Sequence, residues 1–208
     1  EVLNNNLTKA TLVAEFTSNY IEVIQGNVES FASRPLISLY IEENDLKSAN
    51  KMLVEFVQIQ TVLDTCGLYS SNGIQLSLSN PDATTIGQSF ADRDWFQQAI
   101  ATRKPYQSVP IKSRATGKAV LAYGVPIINE QDQIIGVFAG AISLLKLSEV
   151  IANISDNDET HYSIIDTRNG GLILANEDPQ LILSAVASEE KDIIKFISNS
   201  KIGSFETS

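Results

Sequence analysis

Residues Phe90–Ala99 read FADRDWFQQA, Lys104–Ser108 read KPYQS, Thr116–Lys118 read TGK, and Ile134–Ser143 read IIGVFAGAIS. Taken in order, they give a short helix followed by strands. Asp94 to Thr102 carries Trp95, Phe96, Ala99 and Ile100 close to helical spacing, the pattern of a helix with one apolar face. Tyr106 to Lys112, Lys118 to Ile128 and Gln133 to Ser143 follow as strand candidates. The turns joining them, Arg114-Ala115-Thr116-Gly117 and Asn129-Glu130-Gln131-Asp132, are short enough to force antiparallel pairing. The fold class is therefore α+β.

Upstream, the spacing predicts one long helix. Leu3, Leu7, Ala10, Ala14, Thr17, Ile21, Ile24, Val28 and Phe31 recur at intervals of three and four, with Val13, Phe16, Tyr20 and Val23 as a second stripe, and no proline intervenes before Pro35. Two stripes suit a helix that serves both its own domain and a partner helix, and equally a helix lying over its own sheet. A second helix starts after Asn44 or Asp45 and turns Leu46, Ala49, Met52, Leu53, Phe56 and Val57 inward. Val62 to Tyr69 and Ile74 to Leu78 then form a hairpin around Ser70-Ser71-Asn72-Gly73.

Downstream, Leu144 to Ile154 is a helix, and Ser155-Asp156-Asn157-Asp158-Glu159 is a polar break. The pattern then restarts, with a strand from His161 to Asp166, a turn at Arg168-Asn169-Gly170-Gly171, and a returning strand from Leu172 to Ala175. A helix over Ser188–Asn199 and a strand start at Gly203-Ser204-Phe205 complete it. The expected organisation is a long helix and connection over 1–44, a first unit over 45–154 and a second, truncated unit over 155–208. The chain begins at Glu1 with no Met and no basic, apolar leader, which suggests a removed signal or a piece of a longer protein.

The 208 residues are 43% hydrophobic and 19% charged, enough to bury one sizeable core or a main and a minor one. Apolar runs fall far short of the ~20 residues that cross a bilayer. A net charge of −10 argues against a nucleic-acid partner, which demands a basic footprint. That charge is unevenly spread. Between Asp92 and Lys118 lie Arg93, Arg103, Lys104, Lys112, Arg114 and Lys118 against Asp92 and Asp94, so this window carries +4 and the remainder −14. Such an island is either an anion site or a solvated basic hairpin.

Signatures of catalysis are scarce. There is no GxSxG elbow, no GxxxxGK loop and no GxGxxG. One histidine, His161, and one cysteine, Cys66, leave no metal set and no internal disulfide, so neither a catalytic residue, a metal nor a cofactor is expected. Asp156, Asp158 and Glu159 lack the glycine and spacing of a calcium loop and read as a solvated linker.

The ordered set quoted above resembles the ligand-binding core of a double Cache sensor domain, a PAS-like extracytoplasmic module of bacterial and archaeal receptors. The resemblance extends over the chain: the long first helix, a membrane-distal unit over 45–154 and a partial membrane-proximal unit over 155–208. It implies tandem PAS-like units with antiparallel sheets and membrane segments outside this stretch. It further implies an output module such as a chemoreceptor, histidine kinase or diguanylate cyclase, with no enzymatic role for this part. It leaves room for a homodimer through the first helix and for a partner binding protein that presents the ligand.

Residue by residue the resemblance carries over in part. The amino-acid-binding branch of the family grips the ligand carboxylate with an arginine and a tryptophan, which match Arg93 and Trp95. The tyrosine after them is Phe96 here, and the aspartate that receives the ligand ammonium aligns with Ala141. Two further tyrosines align with Ile111 and near Gln88. The carboxylate end is kept and the ammonium end is lost.

Physical chemistry points the same way. A guanidinium matches a carboxylate with two parallel hydrogen bonds, whereas a buried ammonium beside Ala141 would find no counter-charge. A small anion, a mono- or dicarboxylate, is the expected ligand. Ala139, Ala141 and Ser143 alternate onto one strand face and leave room for it, with Tyr106, Ser108 and Tyr123 as expected polar lining. The rival readings are a small hydrolase or isomerase using Asp92, Asp94 and tyrosines, and an adhesin or scaffold that only dimerises.

Overall fold

Helix α1 runs from Val2 to Ala32 in the computed structural model, which describes residues 2–80, 82, 84–153, 163–168, 171–176 and 178–186. It ends ahead of Pro35, as expected. A proline drives the residue before it out of the helical region, and Arg34 is extended with ψ 129°. Pro35 also opens a further helix, α2 (Pro35–Glu42), which the sequence reading left as connection. The proline ring presets φ, and its missing N–H is one that a first helical turn leaves unpaired. Asp45 caps α3 (Leu46–Ile59), its carboxylate accepting from the Ser48 N–H at 3.1 Å.

One sheet follows, built from β1 (Leu63–Ser70), β2 (Gln75–Leu78), β3 (Tyr106–Gln107), β4 (Ile111–Lys112), β5 (Ala119–Ile128) and β6 (Ile134–Ser143). The strand order is β2-β1-β6-β5-β3 with β4 also on β5, and every pairing is antiparallel. Helix α4 (Asp94–Thr102) lies between β2 and β3 in the chain. The single strand expected over Tyr106–Lys112 is two short pieces. Pro110 has no N–H for the ladder, and the chain steps off β5 around it.

The period of two along each strand gives the sheet two different faces. On one, Leu63, Leu68, Leu121, Phe138 and Ile142 are fully buried, together with Val28 of α1, Ile37 of α2 and Leu53 of α3. Phe31 sits between Phe56 and Phe138, with ring centroids 4.2 and 5.0 Å away. Each such side chain contributes about 1.5–3 kcal/mol by leaving water, which makes this face the anchor of the fold. On the other, Tyr69, Phe90, Trp95, Phe96, Ala99, Ala122, Val137 and Ala139 form a second cluster under α4.

The chain forms two compact units, Val23–Ser143 and Glu1–Glu22 with Leu144–Ser208. The sequence reading placed its divisions at 44 and 154. The sheet above belongs to the first unit. In the second, α5 (Leu144–Ala152) precedes the hairpin of β7 (Ser163–Asp166) and β8 (Leu172–Asn176) and a 3-10 turn, Pro179–Leu181. The Ser148 hydroxyl accepts from the Asn176 N–H at 3.3 Å, and Ile165 and Leu174 share a cleft of about 380 Å³ with Val13 and Thr17 of α1. The polar break at 155–159, His161, the helix expected over 188–199 and the strand start at 203 lie outside the described residues.

Candidate binding site

Under α4 the second face of the sheet encloses a cavity of about 40 Å³. Its floor is Thr65, Gly67 and Tyr69 of β1, Val120 and Ala122 of β5, and Ala139 to Ala141 of β6. Phe90, Arg93 and Trp95 close one side, and Ile111 with Ser113, Arg114 and Ala115 of the β4–β5 strap close the other. Small residues make the hollow. Where β1, β5 and β6 line it they present Gly67, Ala122, Ala139 and Ala141, none with a side chain larger than a methyl group.

Trp95 forms the hard wall. It packs edge-on to Tyr69 at 4.9 Å between ring centroids and tilts toward Phe90 at 6.4 Å. It packs closely on β5 because position 124 is glycine: a Cβ there would lie 2.8 Å from the Trp95 carbonyl oxygen and 2.9 Å from its Cε3. Tyr69 is fixed in turn by the Gln75 amide, which donates to its hydroxyl at 3.0 Å, and Gln75 accepts from Thr85 at 2.6 Å. Burial pushes the Tyr69 hydroxyl above its ordinary range, so it enters any chemistry as a neutral group.

Two arginines and no acidic residue line this cavity. Arg114 is held: its Nη2 donates to Asp92 Oδ2 at 2.7 Å, its Nη1 donates to the Ser89 carbonyl, and its guanidinium carbon stands 4.8 Å above the Phe90 ring. The strap carrying it is pinned twice more, by Thr116 and Lys118 donating to the buried Asp64 carboxylate at 2.6 and 2.7 Å. Arg93 differs. It precedes α4 as its N-cap, and its guanidinium has no ion pair or hydrogen-bond partner among the described residues. Neither neighbouring aspartate forms a close ion pair with it: Asp92 bonds Arg114, and Asp94 accepts from the Trp95 N–H at 2.7 Å.

The structure therefore brings Arg93, Trp95 and Ala141 together around one cavity and places the other candidates elsewhere. Phe96 and Tyr106 pack in the cluster behind Trp95. Ser108 is fully buried and stitches the break between β3 and β4, its hydroxyl accepting from the Ala122 N–H at 3.0 Å. Ser143 ends β6, where its N–H donates to the Val62 carbonyl at 3.0 Å. Tyr123 faces away, on the α1 side of the sheet, and donates to Glu29. Its neighbours Ala122 and Gly124 point to the cavity side, so alternation sends Tyr123 the opposite way. Arg114, Tyr69, Phe90 and Thr65 line the cavity and were not among the sequence candidates. Alternation of Thr65, Gly67 and Tyr69 was a usable signal, and so was Arg114 within the basic island.

A larger depression of about 580 Å³ lies at the α1–α2 junction and the β5–β6 turn, where Glu29, Glu42 and Glu130 outnumber Arg34. Its charge is wrong for an anion, and chemistry outweighs size in favour of the smaller cavity. Among the described residues no group of three or more His, Cys, Asp or Glu is placed to hold a metal, and no helix is long and apolar enough to cross a membrane.

Comparison with known proteins places the fold. The Cache domain family model matches residues 1–207. No curated protein sequence matches the chain. Among solved structures, the V. cholerae histidine kinase DctB sensor domain superposes with TM-score 0.70 at 16% identity, over 93% of this chain and 76% of that one. The ligand-binding domain of the Campylobacter jejuni chemoreceptor Tlp3, in complex with L-valine, gives 0.65 at 20% identity over 90% and 75%. That of the Pseudomonas aeruginosa PAO1 amino acid chemoreceptor PctC, in complex with GABA, gives 0.67 at 22% over 90% and 82%.

Proposed function

The chain belongs to the Cache domain family, and from that premise we propose that it is the extracytoplasmic sensory part of a membrane receptor and binds a small carboxylate beside Arg93. One observation carries this reading: a cavity walled by Tyr69, Phe90 and Trp95 is lined by two arginines and no acidic residue, and one of the two, Arg93, has no ion pair or side-chain hydrogen bond among the described residues. A carboxylate offers the planar acceptor pair that a guanidinium fork matches, and aromatic walls that exclude water strengthen the contact. Ala141 lines the cavity and aligns with the aspartate that receives a ligand ammonium in the amino-acid-binding branch of the family, so an amino group is not required of the ligand. A volume of about 40 Å³ accepts a carboxylate headgroup and little more. Drug-sized ligands occupy ~300–1,000 Å³. The ligand is accordingly a short acid, and a longer one is admitted only as the strap lifts. Binding favours one of two arrangements of the receptor's helices and so reaches a cytoplasmic output through the membrane.

A thermal-shift panel of short carboxylates, amino acids and amines tests this. A ligand at a hundred times its dissociation constant adds about 2.7 kcal/mol, several degrees in melting temperature. A carboxylate that shifts the wild type and not Arg93→Ala supports the reading. A response to amines alone contradicts it and redirects attention to Glu29, Glu42 and Glu130. Silence across the panel favours sensing through a partner binding protein.

A second copy of the chain is the further partner proposed. Leu12, Phe16 and Val23 of α1 are 58%, 37% and 62% exposed, and spacings of four and seven residues put them on one helix face. Sedimentation of the wild type against Val23→Asp tests it. A dimer that persists unchanged in the variant removes this face from consideration.

A further inference from the structure

The two arginines at the cavity carry different charge balances. Arg93 makes no ion pair or side-chain hydrogen bond among the described residues and feels Asp92 only at longer range, while Arg114 is paired with Asp92 at 2.7 Å. Together the three groups leave the cavity with a net charge of one. We propose that Asp92 determines which anions the site accepts: by neutralising Arg114 it matches the cavity to a monocarboxylate and disfavours a dicarboxylate. The inference rests on the carboxylate reading above and adds to it a specificity-determining residue outside the lining.

The geometry makes Asp92 a controller of charge rather than of shape. Arg114 does not depend on Asp92 for its position. Phe90 lies under its guanidinium, the Ser89 carbonyl accepts from Nη1, and Asp64 pins the strap through Thr116 and Lys118. Asp92 itself is at the rim, with its side chain 63% exposed. The Arg114 hydrogen bond, with the Arg93 charge as a lesser contribution, holds its carboxyl below the usual range, so it is ionised at neutral pH. A second ligand carboxylate reaching Arg114 must therefore compete with an acid already in place and lie beside its negative charge. A monocarboxylate on Arg93 displaces no acid and feels the Asp92 charge less, since Arg93 interacts with Asp92 more weakly than Arg114 does. Substituting Asn for Asp keeps an acceptor for Nη2 and removes only the charge, raising the net charge at the cavity from one to two.

The test is a titration by calorimetry of two pairs matched in carbon number, propionate against malonate and butyrate against succinate. The proteins are the wild type, Asp92→Asn, and the double variant Asp92→Asn with Arg114→Gln. The wild type is expected to prefer the monocarboxylate of each pair. Asp92→Asn is expected to shift the ratio of affinities about tenfold toward the dicarboxylate, a modest factor because water screens an exposed carboxylate. That shift is expected to shrink with added salt. The double variant restores a net charge of one and is expected to restore the monocarboxylate preference, which a merely structural role for Asp92 would not produce. An unchanged ratio in Asp92→Asn, a wild type that prefers dicarboxylates, or a double variant that keeps the new preference each overturns the assignment of Asp92 and leaves the carboxylate site standing. A wild type that binds none of the four acids overturns the site and this inference together.

Discussion

Two glycine-to-alanine substitutions add the same methyl group, and the structure predicts opposite signs for them. At Gly124 the new Cβ lies 2.8 Å from the Trp95 carbonyl oxygen and 2.9 Å from Cε3 of its ring. Both are roughly half an ångström inside ordinary contact, and neither atom is the end of a flexible side chain. Relief requires α4 to lift from β5 or β5 to bend, the kind of overpacking that costs about 1–3 kcal/mol. For a domain of this size about 4 °C of melting temperature accompanies each kcal/mol, so Gly124→Ala is expected to melt about 4–12 °C lower. At Gly26, within α1, a Cβ meets no atom within 4 Å. There the methyl only removes the conformational freedom of a glycine in a helix, worth about 0.5–1 kcal/mol, so Gly26→Ala is expected to melt a few degrees higher. Calorimetric melts of the two variants beside the wild type suffice. If Gly124→Ala melts within a degree of the wild type, Trp95 is not seated on β5, and the cavity wall drawn from that contact is wrong.

Three further outcomes follow from named contacts. Phe138→Ala removes the ring that meets Phe31 and Phe56, and is expected to cost about 3–5 kcal/mol in a chemical denaturation curve; a loss below ~1 kcal/mol would mean that face is not the anchor. Cys66 is buried, its thiol donating to the Leu53 carbonyl, and burial pushes its ionisation far up, so a thiol reagent is expected to label it only at the rate of unfolding; rapid labelling of folded protein would refute this. The Asp92 carboxyl lies below the usual range, so its hold on Arg114 is complete above the ordinary carboxylate value and is lost as pH falls through the lowered one. Because Phe90, the Ser89 carbonyl and the Asp64 tethers place Arg114 and its strap without Asp92, acrylamide quenching of Trp95 is expected to stay level from pH 8 to about 5 and to be the same in Asp92→Asn as in the wild type at pH 7. A rise near pH 6 would assign control of the strap to another group.

Much of the fold was legible because its signals were local. The α4 segment declared itself through Trp95, Phe96 and Ala99, and β5 and β6 through runs of β-branched and small residues closed by the turn at Asn129. Proline was harder to read. Pro35 both stops one helix and starts another, and Pro110 divides a strand whose composition looks continuous. The site was legible in part. Arg93, Trp95 and Ala141 line one cavity at the second face of the sheet, whereas Tyr123, expected there too, faces the α1 side. Facing depends on strand parity, and a shift of one residue reverses every side chain. Gly124 held the clue, since a glycine in mid-strand marks the close approach of another segment, here Trp95. Arg114 enters the sequence reading only as one charge of the basic island, because a turn residue reads as punctuation. Its place at the cavity follows from Asp64 and Phe90, which stand far from it in sequence and meet it only in the fold.

The chain's single tryptophan, Trp95, stands in the cavity wall, so occupancy of the site is readable from its own fluorescence. Titrating propionate into the wild type, Arg93→Lys and Arg93→Ala puts the guanidinium directly to the test. A saturable change in the wild type is expected, at least tenfold weaker in Arg93→Lys, which keeps the charge but loses the fork, and absent in Arg93→Ala, with all three melting alike. Equal affinity in the wild type and Arg93→Ala would show that the carboxylate is not held by Arg93.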